Sequence, residues 1–294
     1  MTALYIVLIT VAVLIVLYLL SIMPRMIGRP SYDPFKGVYY AHRGLHDNES
    51  GAPENSMAAF KKAAAVGFGI ELDVQLSKDG IPVIMHDYTL ERMCGKEGKV
   101  CDYTWEELKT FKLLNTEETI PCLEDVLKTV KGRVPLIVEI KVEWMDLSVC
   151  PATDALLRNY QGTYCIESFN PTVLTWYRRY HNDVMRGQLA SAYLKEGEQK
   201  GFLYFCLGNL MLNWTTKPDF IAYNHQYSGN ISRKLCRGLY RNLAVAWTVK
   251  SEEELERAKK NYDLIIFDSF LPGDGKKRMQ INKNRTKSNK NRKK

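Results

Sequence analysis

The chain has 294 residues, of which 46% are hydrophobic and 25% are charged, and its formal net charge is +8. This composition is that of an ordinary globular protein with room for one large domain or two small ones, and it excludes a chain that is disordered throughout. The positive charge is concentrated at the C-terminus, so it does not mark the whole chain as a nucleic-acid-binding protein.

The chain opens with an apolar run, residues 3–23, that contains no charged residue. About 20 such residues cross the roughly 30 Å of hydrocarbon in a bilayer, so residues 1–23 are predicted to form one transmembrane helix. A cleaved signal peptide is less favoured, because the basic residues and the small-residue cleavage site that it needs are missing around Thr2 and Ser21. A buried core helix is the remaining alternative.

Residues 24–36 contain three prolines and a glycine and are predicted to be a juxtamembrane linker. Arg25, Arg29 and Lys36 follow the span while no Lys or Arg precedes it, and this bias places the C-terminal side in the cytoplasm. The seven cysteines are spaced singly, which indicates neither a disulfide framework nor a zinc site and agrees with a reducing compartment. We therefore expect a single-pass protein of the cell membrane whose large C-terminal domain faces the cytoplasm.

Eight short apolar runs typical of buried parallel strands follow, with amphipathic helical patterns between most of them. The runs are residues 38–44, 70–76, 135–141, 164–169, 185–190, 220–225, 244–249 and 263–268. The helical patterns are residues 55–67, 122–130, 171–181, 232–242 and 251–261. Eight alternating units predict an α/β fold of the (β/α)8 TIM-barrel type over residues 37–272.

Two segments interrupt this alternation. The apolar run at residues 82–87 follows the second strand after only a short turn, and a connection of that length joins antiparallel strands. We expect a hairpin there, followed by a small insertion at residues 88–120 with a helix near 104–111. Residues 201–217 are unusually apolar for a connection; a packed surface helix is expected, with lipid contact or a cover over the site as alternatives.

The end of the chain, residues 273–294, is predicted to be a disordered basic tail. Ten Lys or Arg and no acidic residue lie between Lys276 and Lys294, and few apolar residues accompany them. The tail either keeps the protein soluble or binds anionic lipid, which is worth about 1 kcal/mol per basic residue near the surface. No nucleic-acid partner is expected, because no aromatic residue is interleaved to stack on bases.

Polar side chains gather at the carboxyl ends of the predicted strands, which meet at one mouth of a parallel barrel. They are His42 and Arg43 on the first strand, Glu71 and Asp73 on the second, His86 at the end of the hairpin, and Glu139 and Lys141 on the third. Glu71 and Asp73, like Glu139 and Lys141, are spaced by two residues, so both members of each pair lie on the same face of their strand.

Three carboxylates at one mouth would repel each other unless a cation lay among them, and oxygen ligands favour Mg2+ or Ca2+ over zinc. Two histidines can supply a general base and a general acid, while Arg43 and Lys141 suit phosphate oxygens. Each residue alone has an ordinary explanation, such as a surface pair of Glu139 with Lys141. Their joint placement is what favours metal-assisted chemistry on a phosphate ester.

The same residues resemble the glycerophosphodiester phosphodiesterase family. AHRG at residues 41–44, APENSMAAF at 52–60, ELDVQLSKDGIPVIMHD at 71–87 and VEIK at 138–141 match its motifs in order, with ESFNP at 167–171 and VAWTV at 245–249 as weaker matches. The resemblance covers residues 38–268. It departs at Ser56, where the family usually has Thr, and in IIFDSFLP from Ile265, which leaves the alcohol-side specificity open.

The resemblance implies a barrel of the phospholipase C-like phosphodiesterase type that hydrolyses glycerophosphodiesters to sn-glycerol 3-phosphate and an alcohol. It implies one divalent cation, Mg2+ or Ca2+ with Mn2+ as a further candidate. The implied roles are acid and base for His42 and His86, metal ligands for Glu71, Asp73 and Glu139, phosphate binding for Arg43 and Lys141, support for the site for Glu54 and Asn55, and a substrate-facing wall for Trp247.

Two alternatives remain open. The same site acting on lysophospholipids would be a lysophospholipase D, which the nearby membrane span would suit. An inactive barrel serving as a membrane-bound scaffold is the other alternative. Loss of a histidine or a metal ligand would indicate a scaffold, whereas every expected position is filled.

Overall fold

Eight parallel strands close into a barrel in the computed structural model, which describes residues 1–143, 145–197, 199–273 and 275. The strands are β1 (Tyr39–Ala41), β2 (Gly69–Leu76), β4 (Leu136–Ile140), β5 (Tyr164–Ser168), β6 (Arg186–Ala190), β7 (Phe220–Asn224), β8 (Leu243–Val249) and β9 (Leu264–Phe267), with β3 (Pro82–Ile84) outside the barrel. Because β1 pairs in parallel with both β2 and β9, the ring is complete. The predicted TIM barrel is confirmed.

Helices surround the barrel and lie in its connections. They are α1 (Thr2–Ile22), α2 (Met57–Val66), α3 (Glu91–Cys94), α4 (Trp105–Leu108), α5 (Leu123–Val130), α6 (Val149–Leu157), α7 (Pro171–Tyr180), α8 (Tyr193–Glu196), α9 (Phe202–Gly208), α10 (Asn213–Thr216), α11 (Ile231–Gly238) and α12 (Glu252–Ala258). Short 3-10 turns add Asp33–Phe35, Val100–Asp102 and His225–Tyr227. All five predicted barrel helices are present.

Capping residues and prolines account for where several helices begin. Ser56 caps α2 by accepting a hydrogen bond from the Ala59 amide, and Asn170 caps α7 in the same way ahead of Pro171. Helix α6 was not predicted. Pro151 stands in its first turn, where proline is tolerated because that amide has no partner within the helix.

The second strand carries the expected hairpin. β3 pairs antiparallel with β2, and the insertion that follows has its own small core, which includes Met93, Val100 and Leu108. Its helix α4 is shorter than predicted but begins at the expected residue, with Thr104 and Glu107 forming a capping box.

Residues before the barrel are packed against it. Phe35, in the predicted linker, is buried in the cluster of side chains that fills the barrel, and its carbonyl accepts a hydrogen bond from Tyr40. Helix α1 is apolar and long enough to cross a membrane by length and composition, and its last residue, Ile22, is fully buried in the main core. The predicted basic tail lies outside the described residues apart from Gly273 and Gly275.

Candidate active site

Three buried carboxylates meet at the mouth of the barrel. Glu71 and Asp73 lie on β2 and Glu139 on β4, and the register of these strands sets Asp73 beside Glu139. One carboxylate oxygen from each of the three lies within 4.8 Å of the other two. The structure therefore brings together the three residues that sequence analysis selected as metal ligands.

The protonation of these carboxylates reflects their crowding. Burial, followed by the charges of Asp73 and Glu139, raises the pKa of Glu71 well above its usual range. Burial also raises the pKa of Glu139 to about 7, against the opposing effect of Lys141. Burial would raise the pKa of Asp73 too, but Lys141, His86 and Arg43 together hold it below its usual range. A cation among the three would relieve the repulsion, so these residues fit a hard divalent metal.

Two cationic side chains border the carboxylates. Lys141 Nζ lies 3.1 Å from Glu139 Oε1 and 3.5 Å from Asp73 Oδ1. The Arg43 guanidinium donates to Glu54 Oε1 at 2.8 Å and lies 3.6 Å from Asp73 Oδ2. Among the described residues the buried Arg43 Nε makes no hydrogen bond. A positively charged edge thus adjoins the cluster, as binding of a phosphate would require.

The turn after β1 is built to hold Arg43. Arg43 has a φ of +53° and Gly44 one of +82°, and a Cβ on Gly44 would lie 2.9 Å from the Ala59 Cβ, so only glycine fits. The Arg43 amide donates to Glu71 Oε2 at 2.9 Å. Asn55, itself at a φ of +56°, donates from its backbone to the Arg43 carbonyl and from its side chain to Asp73 Oδ2 at 2.8 Å.

Each predicted catalytic histidine has its Nδ1 next to a carboxylate. His42 Nδ1 lies 3.1 Å from Asp268 Oδ2, and His86 Nδ1 lies 2.6 Å from Asp87 Oδ1. Burial lowers the pKa of both imidazoles, and the carboxylate beside each only partly offsets this effect. In the neutral tautomer with the proton on Nδ1, Nε2 of each ring is an acceptor.

Sequence analysis missed the carboxylates that orient these rings. Asp268 lies just after β9 and also approaches His46, with 3.1 Å between Asp268 Oδ1 and His46 Nε2. Asp268 stands at the end of a barrel strand, and the same position marked the other candidate site residues, so the sequence did contain a signal for it. Asp87 follows His86 directly, so its adjacency was also visible in the sequence.

Glu54 belongs to a charged network that reaches into the insertion. Arg92, on α3, donates to both Glu54 oxygens at 2.7 and 3.0 Å and to Asp87 Oδ1 at 2.9 Å. Glu54 is buried, yet Arg92, Arg43 and Asn48 outweigh that burial and lower its pKa to about 2. No feature of the sequence pointed to Arg92, because it lies in the insertion, 38 residues after Glu54.

A further buried acid lies next to the cluster. Glu167, on β5, stands opposite Glu139 in the strand register. Burial, followed by the charges of Glu139 and Asp73, raises its pKa well above the usual range. It therefore favours the neutral form, unlike Asp73.

A cavity of about 910 Å³ opens beside His86. Its walls are mainly apolar and include Phe169, Tyr193, Leu203 and Trp247. Trp247 packs edge-on against Phe169 with ring centroids 5.4 Å apart. Trp247 therefore lies on the wall of this cavity, and its predicted contact with substrate stays a prediction.

Known proteins resemble this chain along the whole barrel. The glycerophosphoryl diester phosphodiesterase family model matches residues 42–270. The glycerophosphodiester phosphodiesterase of Caldanaerobacter subterraneus is 33% identical over 249 residues, which cover 79% of this chain and 94% of that protein.

Solved structures share the fold. The glycerophosphodiester phosphodiesterase from Thermotoga maritima aligns with a TM-score of 0.59 at 26% identity, covering 78% of this chain and 94% of that one. The Oleispira antarctica phosphodiesterase in complex with the product sn-glycerol-3-phosphate aligns with a TM-score of 0.65 at 23% identity, covering 85% of this chain and 98% of that one.

Proposed function

Because the chain belongs to the glycerophosphoryl diester phosphodiesterase family, and is an enzyme that hydrolyses glycerophosphodiesters, we propose a metal-dependent, two-histidine reaction that yields sn-glycerol 3-phosphate and an alcohol. The observation that carries this proposal is the meeting of Glu71, Asp73 and Glu139, with one oxygen of each within 4.8 Å of the others. A buried cluster of this kind, bordered by cationic side chains, suits a metal and a phosphate together.

In this proposal Glu71, Asp73 and Glu139 hold one divalent cation. Their oxygen ligands favour Mg2+ or Ca2+, with Mn2+ as a further candidate. When bound, such a cation neutralises charge on the phosphoryl oxygens and so lowers the barrier to attack at phosphorus.

Arg43 and Lys141 bind the remaining phosphate oxygens. Both are held at the mouth by the carboxylates that they contact, so neither has to be ordered when substrate arrives. Glu54 and Asn55 maintain that arrangement, Glu54 through its hydrogen bond with Arg43 and Asn55 through the loop backbone. Trp247 forms part of the wall against which the alcohol portion lies.

Proton transfer is assigned to His42 and His86. One of them removes the proton from the glycerol 2-hydroxyl, whose oxygen attacks phosphorus from within the same molecule at high effective concentration. The other gives its proton to the departing alcohol oxygen as the bond from phosphorus to that oxygen breaks. Water then opens the resulting glycerol cyclic phosphate with the two roles exchanged, which releases sn-glycerol 3-phosphate and restores both rings.

Helix α1 is proposed to span the cell membrane and remain attached. The burial of Ile22 in the main core supports this, because cleavage after that residue would remove it from the core. The cytoplasmic placement of the barrel is supported by the seven free cysteines. Arg25 and Arg29 are weaker support than expected, since both guanidinium groups are hydrogen-bonded to carbonyls of the barrel. Binding of anionic lipid by the basic tail remains a proposal.

A second candidate substrate is a lysophospholipid. The mainly apolar cavity beside His86, at about 910 Å³, is larger and less polar than a choline or glycerol group requires. Reaction at the same phosphate would make the enzyme a lysophospholipase D.

The test is a substrate and metal screen on the full-length protein. EDTA-stripped enzyme is assayed on glycerophosphocholine, glycerophosphoglycerol and lysophosphatidylcholine, with Mg2+, Ca2+ or Mn2+ added back. The proposal expects release of the alcohol that depends on one of these cations. Full activity in EDTA would overturn the metal assignment, and inactivity on all three substrates with every cation would overturn the proposed function.

A further inference from the structure

The last turn of helix α1 is fixed to the barrel wall. Tyr18 Oη lies 2.8 Å from Ser232 Oγ, and Tyr240 donates to the Leu19 carbonyl at 2.8 Å. Asn213 donates to the carbonyl of the buried Ile22 at 2.9 Å. Because this turn belongs to the packed core, the exposed part of the helix leaves the barrel in a defined direction.

That direction is toward the mouth. Ser232 is in the first turn of α11, which follows β7 and therefore starts at the mouth. Cys236, one turn further from the mouth, donates to the Ile22 carbonyl. Beyond the helix, the Arg25 amide donates to the carbonyl of Pro218, just before β7 and hence at the base of the barrel. The chain thus descends from mouth to base, and the helix up to Leu17 projects beyond the mouth.

A group of exposed apolar side chains, the apolar rim, adjoins the point where α1 leaves the barrel. We use this term for Phe202, Leu203 and Phe205 of α9 and Ile231 of α11, all exposed, with Phe202 at 78% and Ile231 at 68%. The two parts of the rim are joined, because Asn230 donates to the Gly208 carbonyl at 3.3 Å. Exposed apolar side chains grouped in this way indicate a contact surface.

We propose that the mouth of the barrel faces the bilayer in which α1 lies, with the apolar rim resting in the lipid interface. Leu17 is exposed on α1 and directly precedes Tyr18, which contacts Ser232. A bilayer that covers the helix through Leu17 therefore reaches the level of Ser232 and of its neighbour Ile231. Lipid is the occupant that fits, since the rim continues the apolar surface of α1.

This placement gives the active site a direct entrance from the membrane. Leu203 is both a member of the rim and a wall residue of the cavity beside His86. The apolar part of an amphiphilic phosphodiester can then pass from the bilayer to the site without crossing water. What enters the site rests on the proposed reaction, whereas the docking of the rim rests only on the proposed membrane span of α1.

Spin labels test the orientation on the full chain. Single cysteines are placed at Phe202, Ile231, Leu239 and Tyr180 in a background with Cys94, Cys101 and Cys206 replaced by Ser. Leu239 and Tyr180 are the matched controls, because both are exposed and both end helices at the base. The labelled protein is reconstituted in nanodiscs of phosphatidylcholine and phosphatidylglycerol. Collision rates with oxygen and with a water-soluble nickel chelate are then compared.

The proposal expects labels at Phe202 and Ile231 to collide preferentially with oxygen, and labels at Leu239 and Tyr180 with the nickel chelate. Nickel access at all four positions would overturn it, and so would oxygen preference at the two base positions alone. This readout needs no catalysis, so it stands whether or not the proposed reaction is correct.

An activity test complements the labels. Phe202→Ser with Phe205→Ser is expected to lower hydrolysis of a lysophospholipid in vesicles about five- to tenfold, through weaker interfacial contact, without changing that of soluble glycerophosphocholine. Leu239→Ser is the control and should change neither rate. An equal loss on both substrates would show damage to the site rather than to docking, and unchanged lipid hydrolysis would show that the rim does not dock; either result contradicts the proposal.

Discussion

Replacing Glu71 by Gln tests the metal site without removing side-chain volume. Two ionised carboxylates with oxygens no more than 4.8 Å apart repel by at least about 3.5 kcal/mol at an effective dielectric constant of about 20. Burial and this repulsion raise the pKa of Glu71, so the metal-free fold favours its neutral form. Gln has nearly the same shape as neutral Glu, and we expect the metal-free variant to unfold within about 1 kcal/mol of the natural protein.

Bound metal should make the natural protein more stable than Glu71→Gln. A cation at a hundred times its Kd stabilises the natural protein by about 2.7 kcal/mol. For a domain of this size, that corresponds to a rise in Tm of about 5–10 °C. Glu71→Gln loses a charged ligand, so its metal-dependent rise should fall below about 2 °C. Its phosphodiesterase activity should be lost as well.

The assay is thermal unfolding of the detergent-solubilised full chain in EDTA and in Mg2+, Ca2+ or Mn2+, alongside turnover. Glu143→Gln is the matched control, because Glu143 lies shortly after the same strand as Glu139 but pairs with Lys99 at 2.7 Å, outside the cluster. The control should retain both the metal-dependent rise and the activity. A Glu71→Gln variant with the full rise in Tm would refute the ligand assignment.

Three further outcomes are expected. Without metal, the free energy of unfolding of the natural protein should fall relative to that of Glu139→Gln as pH rises from about 5 to 7, because Glu139, with a pKa of about 7, keeps a proton in the fold that the unfolded chain, near 4.5, has lost. The lowered pKa of His42 and His86 acts in the opposite direction but equally in both proteins; parallel curves for the two proteins in EDTA would contradict this. Asp268→Asn should lower kcat/KM by about 10- to 100-fold, and the acidic limb of the pH profile of kcat/KM should move to lower pH, because the Asp268 carboxylate raises the pKa of His42. An unshifted acidic limb would leave Asp268 a purely structural role. A 2-deoxy analogue should bind as an inhibitor yet be nearly inert, and brisk hydrolysis of it would show that water attacks phosphorus directly.

The barrel could be predicted because its signals are local. Each strand is buried on both faces, which requires a continuous apolar run, and the polar residues that end such runs stand out against them. The same logic located Glu71, Asp73 and Glu139. Their convergence then follows from parallel pairing, which brings the strand ends to one edge.

The features that could not be predicted depend on contacts between residues far apart in the sequence. Arg92 supports Glu54 from within the insertion, and Asp268 reaches His42 only because the first and last strands are neighbours in the closed ring. Helix α1 illustrates the same limit. Apolar composition predicts a membrane span, but the same composition does not distinguish Leu17, which is exposed, from Ile22, which is core.

The proposed roles of His42 and His86, with cleavage on the alcohol side of the phosphate, can be tested on one substrate. The products formed from glycerophosphocholine are identified by mass spectrometry for the natural protein, both single alanine variants and the double variant. We expect choline and sn-glycerol 3-phosphate, with the double variant hardly slower than the worse single variant because the two rings act as a unit. Phosphocholine and glycerol as products, or near-normal turnover in the folded double variant, would refute these roles.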